Sequence, residues 1–230
     1  YFKRWHRLME NSGGMLVHKS THHFDAINWI IDDEPSKVSA IGNQVFYGDE
    51  SKCFAEYCRV CDKKDVCESY KSQTVELDEE LYFKAQHEDG YLRDKCCYKN
   101  DCNIYDNMSV SVLYKGGALL TYSLNLFSLR GEGQKIVITG EKGVAVYEGV
   151  SPSDNPNAKP VIKVFTSEGE YECYDLPVLK GRHGGADPLL VGMLMAGEKN
   201  DEYLGQLADS FAGITSALIG ISANESNSEK

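Results

Sequence analysis

The chain is short of positive charge, has no long apolar run and does not begin with methionine. Its 230 residues carry 24 Lys and Arg against 35 Asp and Glu, a formal net charge of -11. That deficit excludes a nonspecific duplex binder, which has to neutralise phosphates with a basic face, so nucleic acid is not an expected partner. The apolar stretches last only a handful of residues, far below the ~20 that span a bilayer, so a soluble protein without a membrane partner is expected. No Met stands at position 1 and no charged-then-apolar leader opens the chain, so Tyr1 is expected to lie inside a longer protein. The polar end from Ala223 to Lys230 reads as a cut or frayed terminus. No internal repeat is present. At 42% hydrophobic residues there is enough apolar surface for a core, and disorder is excluded as the default.

What the chain has in excess is cysteine, eight in all. Cys53, Cys58, Cys61 and Cys67 fall within a short loop, and Cys96, Cys97 and Cys102 form a second group. Four thiolates in a segment unable to build its own core suit a tetrahedral structural zinc, and Cys58-x2-Cys61 has the spacing of a knuckle. A second such pair is absent, and reduced unliganded thiols or an opportunistic disulfide are the favoured alternative. An iron–sulfur cluster is the least favoured option. Cys173, inside a strand pattern, reads as a small packed apolar side chain. Thiol usage also places the protein in the cytoplasm.

The chain reads as one domain over residues 1–230, with a cysteine-rich excursion at about 49–105. Residues 1–10 predict a short helix, broken by Asn11-Ser12-Gly13-Gly14. From Met15, apolar positions at Leu16, Phe24, Ile27, Ile30 and Ile31 predict one helix running to Asp32, ended by Pro35. A strand over Val38–Phe46 precedes the excursion. Val110–Tyr114 and Ala118–Leu124 form a hairpin across Lys115-Gly116-Gly117. Lys135–Thr139 pairs with Val144–Tyr147, and Val161–Phe165 with Tyr171–Leu176. Asp187-Pro188 opens a helix as N-cap and first-turn proline, and a last amphipathic helix is expected over Tyr203–Ala223. Helices at both ends of a meander of strands give an α+β fold, an open, mainly antiparallel sheet with helices on one face.

Chemistry concentrates in Gly13-Gly14-Met15-Leu16-Val17-His18-Lys19-Ser20-Thr21-His22-His23-Phe24-Asp25. On one helix His18 and His22 project from one face about a turn apart, with Lys19 near. Two imidazoles so placed suit proton transfer near neutral pH or two ligands of a metal; capping and packing at the start of a core helix is the plainer reading. His183-Gly184-Gly185-Ala186-Asp187 enters a helix with free backbone N–H groups and a carboxylate, suited to polyol hydroxyls or to simple capping. Arg4, Trp5, His6 and Arg7 form a third cluster, in which Arg4 and Trp5 line a sugar site or Trp5 packs inward.

The Gly-Gly, Lys-Ser-Thr-His-His-Phe-Asp and Trp29 pattern resembles the helix that opens the C-terminal domain of the glucose-fructose oxidoreductase, inositol dehydrogenase and MocA (Gfo/Idh/MocA) family. Asp106-Asn107-Met108-Ser109-Val110, Gly140-Glu141-Lys142-Gly143 and His183–Leu190 match in the same order. The resemblance implies an NAD- or NADP-dependent oxidoreductase acting on a sugar, polyol or derivative. Its fold would be the glyceraldehyde-3-phosphate dehydrogenase-like C-terminal domain, forming a homo-oligomer through its sheet. It also implies an N-terminal Rossmann domain carrying the dinucleotide and a Glu-Lys-Pro lysine. Neither is present, and Gly131-Glu132-Gly133 is an isolated pair without the strand–loop–helix setting, so this chain alone is expected to be inactive. His22 matches the family's acid–base histidine. His18 stands where the family has aspartate, to share the proton relay or bind substrate oxygens; Lys19 matches no catalytic position. Two other classes stay open: a non-catalytic binding or scaffold module that keeps the fold, and a metal-ordered interaction module built on the cysteines.

Overall fold

A computed structural model describes residues 1–70, 79–127, 133–149, 159–177, 182–196 and 205–228. The chain divides into two compact units, Tyr1–Phe127 with Ala208–Lys230, and Ser128–Leu207. The strands accordingly form two antiparallel sheets rather than one continuous meander, three-stranded β1-β2-β3 and four-stranded β4-β5-β6-β7. The α+β class stands.

In the first unit β1 (Pro35–Asn43), β2 (Asn107–Tyr114) and β3 (Leu119–Asn125) pair in register, with Val110 opposite Ala40 and Tyr122. Strand β2 shows strict alternation, burying Met108, Val110, Val112 and Tyr114 and exposing the residues between, which is the period of two visible in its sequence. The predicted strand to Phe46 stops at Asn43, because the backbone N–H groups of Val45, Phe46 and Tyr47 turn away to a buried carboxylate. Asp106, fully buried, accepts from Val45, Phe46 and Tyr47, each at 2.9 Å.

The helices on this sheet are α1 (Met9–Ser12), α2 (Gly14–His18), α3 (Thr21–Ile31) and α6 (Ser210–Ser228). The first ten residues hold only a 3₁₀ turn, Trp5–Arg7, before α1. Gly13 and Gly14, at φ 65° and 69°, make the sharp turn into α2 that a side chain at Cβ would oppose. Helix α6 packs on β1 and against α2 and α3. A Cβ at Gly220 would stand 2.4 Å from the carbonyl oxygen of Leu16, so glycine permits this approach. The core between them includes Leu16, Phe24, Ile104, Ile219 and Ala223, all at or below 2% exposure.

The last helix starts and ends later than its apolar pattern suggests, and the tail is not frayed up to Ser228. Ser226 Oγ accepts from the Ala40 N–H, and Asn227 both accepts from the Gly42 N–H and donates to its carbonyl. These polar side chains cover the unpaired backbone of edge strand β1. Tyr203 lies outside the described residues, as do Gly131 and Glu132.

The cysteine-rich excursion is stitched into this unit. Cys97, Tyr98, Cys102 and Ile104 enter the core. Arg59 grips Asp94, 2% exposed, through Nε at 3.0 Å and Nη2 at 2.5 Å, and a short helix α4 (Gln86–Asp89) follows a π-turn at Glu79–Phe83.

The second unit carries β4 (Gln134–Gly140), β5 (Gly143–Gly149), β6 (Val161–Thr166) and β7 (Tyr171–Asp175), matching the two predicted hairpins. A 3₁₀ turn, Arg182–Gly185, leads into α5 (Ala186–Ala196), so Asp187 sits inside the first turn rather than capping it. Cys173 is exposed rather than packed, because every residue of edge strand β7 is exposed. Among the described residues no helix is long and apolar enough to cross a membrane.

Candidate active site

The predicted single helix through the histidines is interrupted. Helix α2 ends at His18, where Lys19 and Ser20 both donate to the Met15 carbonyl, and α3 restarts when Phe24 donates to Ser20. Ser20 is fully buried and its hydroxyl meets the Tyr122 hydroxyl at 3.0 Å, while His23 Nδ1 meets the same hydroxyl at 2.9 Å. The break draws Ser20 down onto the sheet, so His18 and His22 belong to two helices.

His18 turns into an aromatic cluster built by the N-terminal segment. Its ring lies 4.4 Å from His6, 5.3 Å from Tyr1 and 6.0 Å from Trp5, centroid to centroid and edge-on. His6 stacks on Trp5 at 3.9 Å and meets Tyr1 edge-on at 5.3 Å. Such pairs add about 0.5–1.5 kcal/mol each beyond their buried area, which fixes the rings in place. The segment itself is anchored by Arg7, 3% exposed, which donates to the carbonyls of Phe2 and Cys96 and pairs with Asp101 at 2.5 Å. Arg7 is thus a structural tie, and Trp5 remains 44% exposed instead of packing inward.

The electrostatics favour neutral imidazoles. Burial, the charge of His18 and the Arg4 guanidinium push His6 down from 6.5 to about 4. Burial, Arg4, Lys19 and His22 likewise lower His18. His6 is 8% exposed, and its Nδ1 is buried without a hydrogen-bond partner. At physiological pH the His6 ring is therefore neutral and a weak base, so it packs within the cluster instead of holding a proton there. His22 is exposed.

The structure therefore unites Arg4, Trp5 and His18 from two separate sequence candidates, with Lys19 and His22 close enough to act on His18 by charge. His6 and Tyr1 complete the cluster. Sequence reasoning assigned neither a role; the available signal was the Trp-His pair beside Arg4, which has no helical period to explain it as core. His183 and Asp187 meet each other in the second unit, Nδ1 to Oδ1 at 2.8 Å, with both side chains largely exposed.

The proposed zinc ligands do not converge. Among the described residues no group of three or more His, Cys, Asp or Glu is arranged to hold a metal. Cys58 accepts a hydrogen bond from Lys3 Nζ at 3.2 Å instead, while Cys53 meets Cys96 and is pushed up to about 11, chiefly by burial. The loop is ordered by Arg59–Asp94 and by core cysteines, so a metal is not required to hold it. Every strand pair described is antiparallel, and no strand–glycine loop–helix unit occurs among the described residues.

Comparison with known proteins agrees with this architecture. Residues 1–230 match the family model described as "Oxidoreductase family, C-terminal alpha/beta domain". The chain is 34% identical over 247 residues to "Putative oxidoreductase YteT" of Bacillus subtilis (strain 168), covering 100% of this chain and 58% of that protein. Among solved structures it is similar to the aldose-aldose oxidoreductase of Caulobacter crescentus (TM-score 0.56, 11% identity, 100% of this chain and 50% of that one). UDP-N-acetylglucosamine 3-dehydrogenase GnnA of Acidithiobacillus ferrooxidans gives TM-score 0.52 and 12% identity over 93% of this chain and 47% of that one. At these identities the structures speak to the fold. With its whole length matched by the family model, the chain belongs to the Gfo/Idh/MocA oxidoreductase family as its C-terminal alpha/beta domain.

Proposed function

We propose that this chain is the substrate-binding and proton-transferring half of a sugar or polyol oxidoreductase. Its oxidant would be NAD or NADP, held by an N-terminal Rossmann domain of the same protein. The observation that carries the reading is the convergence of Tyr1, Trp5, His6 and His18 into one imidazole–aromatic cluster, with the exposed His22 on the next helix near enough to act on His18 by charge. Trp5 and Tyr1 offer flat faces to a sugar ring, and Arg4 and Lys19 offer donors to its hydroxyls. His22 is the general acid or base for the reacting hydroxyl. His18, standing where the family pattern has aspartate, assists His22 in moving the proton, and the neutral His6 ring packs edge-on behind it. His183 and Asp187 form a second polyol-binding pair in their own unit, the carboxylate orienting the imidazole. The cofactor contributes hydride acceptance only; the groups of this chain position the sugar and move the proton.

The test is turnover in the full-length protein, followed by the absorbance of reduced nicotinamide across a panel of aldoses and polyols with NAD or NADP. His22→Ala should lower kcat/KM by about 100-fold or more, the usual contribution of a positioned acid–base group. A loss within about threefold refutes the assignment of His22. The replacement of the family aspartate by His18 also favours a second reading, a binding module without redox chemistry. Dinucleotide binding with no reduction by any polyol would support that reading over ours.

A further inference from the structure

Ser20, Tyr122 and His23 form a hydrogen-bonded chain between the sheet and the turn that carries His22. The Tyr122 hydroxyl lies 3.0 Å from Ser20 Oγ and 2.9 Å from His23 Nδ1. Tyr122 stands on β3 opposite Val110, and its ring meets the buried Phe24 edge-on at 5.0 Å. The phenol is therefore held by the sheet on one side and by α3 on the other.

Counting protons gives each bond a direction. Ser20 is fully buried, and among the described residues its hydroxyl meets Tyr122 alone. A buried hydroxyl proton without an acceptor is costly, so Ser20 donates to the Tyr122 oxygen. Burial raises the Tyr122 phenol, which therefore keeps its single proton at neutral pH, and the acceptor left for that proton is His23 Nδ1. An Nδ1 that accepts carries no proton, so the His23 imidazole is neutral with its proton on Nε2. The reverse orientation, with Nδ1–H donating to Tyr122, would send the phenol proton to Ser20 and leave the Ser20 proton without an acceptor. Burial and the charges of Lys19 and His22 lower His23, in agreement with a neutral ring.

The same hydroxyl sets the geometry of the turn. Ser20 and His23 are three residues apart, on one face of the first turn of α3, and both are tied to Tyr122. At about 100° per residue, His22 projects roughly 130° away from the middle of that face. Pinning the inner face turns His22 outward, which is where its exposure places it. On the other side of the break the Ser20 and Lys19 N–H groups share the Met15 carbonyl, at 2.9 and 3.1 Å, so fixing Ser20 also fixes the end of α2 at His18. We propose that Tyr122 is a positioning residue for this site: through Ser20 and His23 Nδ1 it holds the first turn of α3 so that His22 faces outward and His23 beside it stays uncharged. The inference rests on the proposed function for the reaction that His22 serves, and on the hydrogen bonds alone for the tautomer.

The experiment is proton–nitrogen correlation NMR of the histidine rings in the full-length protein, with His22→Gln and His23→Gln to assign the signals, beside steady-state kinetics. Wild-type His23 should show the Nε2–H tautomer at neutral pH and titrate below an ordinary histidine. Tyr122→Phe keeps the ring against Phe24 and removes the hydroxyl. It should erase the tautomer preference, raise the titration of His23 toward its ordinary value and shift the His22 signals. It should also lower kcat about tenfold with KM within about twofold, a split that a loss of stability alone does not produce. Should Tyr122→Phe fail to fold, Ser20→Ala cuts one of the two ties: it should retain the His23 tautomer and lower kcat about threefold at unchanged KM. A wild-type His23 protonated on Nδ1, or a folded variant with unchanged kcat and unchanged His22 signals, overturns the inference. Wild-type protein that oxidises no sugar or polyol refutes the redox reading alone, and the tautomer and the His22 signals then decide whether Tyr122 positions these histidines.

Discussion

The depressed titration of His6 makes the stability of this domain depend on pH in a defined window. A histidine with a folded pKa near 4 and an ordinary value of 6.5 is protonated more readily in the unfolded chain. Its contribution to stability is therefore complete above pH 6.5, falls as pH drops toward 4, and changes no further below that. Integrated from pH 7 to pH 4.5, this one group costs about 2 kcal/mol. His6→Phe keeps the ring stacked on Trp5, removes the titration and also removes the buried, unpartnered Nδ1. At pH 7 the variant should be as stable as the wild type or slightly more so. At pH 4.5 it should be about 2 kcal/mol more stable relative to wild type than it is at pH 7. Urea denaturation of the 230-residue chain and of the variant at both pH values measures this difference directly. Identical pH dependence in the two proteins would refute the burial and charge assigned to His6. Asp94 and Asp101, held low by Arg59 and by Lys95 and Arg7 against the opposing effect of burial, lose their contribution only at still lower pH and in both proteins alike.

Other substitutions probe the scaffold that carries the cluster. Asp106→Asn turns one acceptor of a three-N–H cradle into a donor and should cost about 2–4 kcal/mol by chemical denaturation; a loss under about 0.5 kcal/mol contradicts the cradle. Within α6, Gly220→Ala should destabilise by about 2 kcal/mol through its clash with Leu16, whereas Gly213→Ala, with nothing within 4 Å, should stabilise by about 0.5–1 kcal/mol; equal effects would refute the close approach of α6 to α2. One face of the second unit's sheet exposes Val137, Phe165 and Tyr171, and we propose that a second copy of the chain packs on it. Sedimentation of the full-length protein should show an oligomer that Phe165→Glu weakens, and a monomer at all concentrations would count against that placement.

The strands were legible because their chemistry is local. Val110, Val112 and Tyr114 alternate with polar neighbours, and glycine turns separate each pair, so the hairpins follow from nearest-neighbour pattern alone. The break between α2 and α3 was not, because it depends on Ser20 reaching Tyr122, a partner 102 residues away. The apolar spacing from Met15 to Ile31 continues across the break and conceals it. The same limit applied to the polar end of α6, whose Ser226 and Asn227 read as a tail until an edge strand is found beneath them. At the site, the histidine pair was visible as spacing, but its inner partner His6 was not, since stacking on Trp5 and contact with His18 are tertiary facts. The cysteine spacing misled for a related reason: thiols close in sequence were consumed separately, by Lys3, by Cys96 and by the core.

The pH profile of kcat/KM in the full-length protein, for wild type beside His18→Asp and His22→Ala, tests the central claim most directly. With the relay through His18 and His22, the wild-type rate should rise with pH through an apparent pKa below that of an ordinary histidine, because burial and Arg4 hold His18 low. His18→Asp should move that limb to higher pH, since a carboxylate stabilises a neighbouring imidazolium, and His22→Ala should abolish it together with most of the rate. Three superimposable profiles would contradict proton transfer at this cluster.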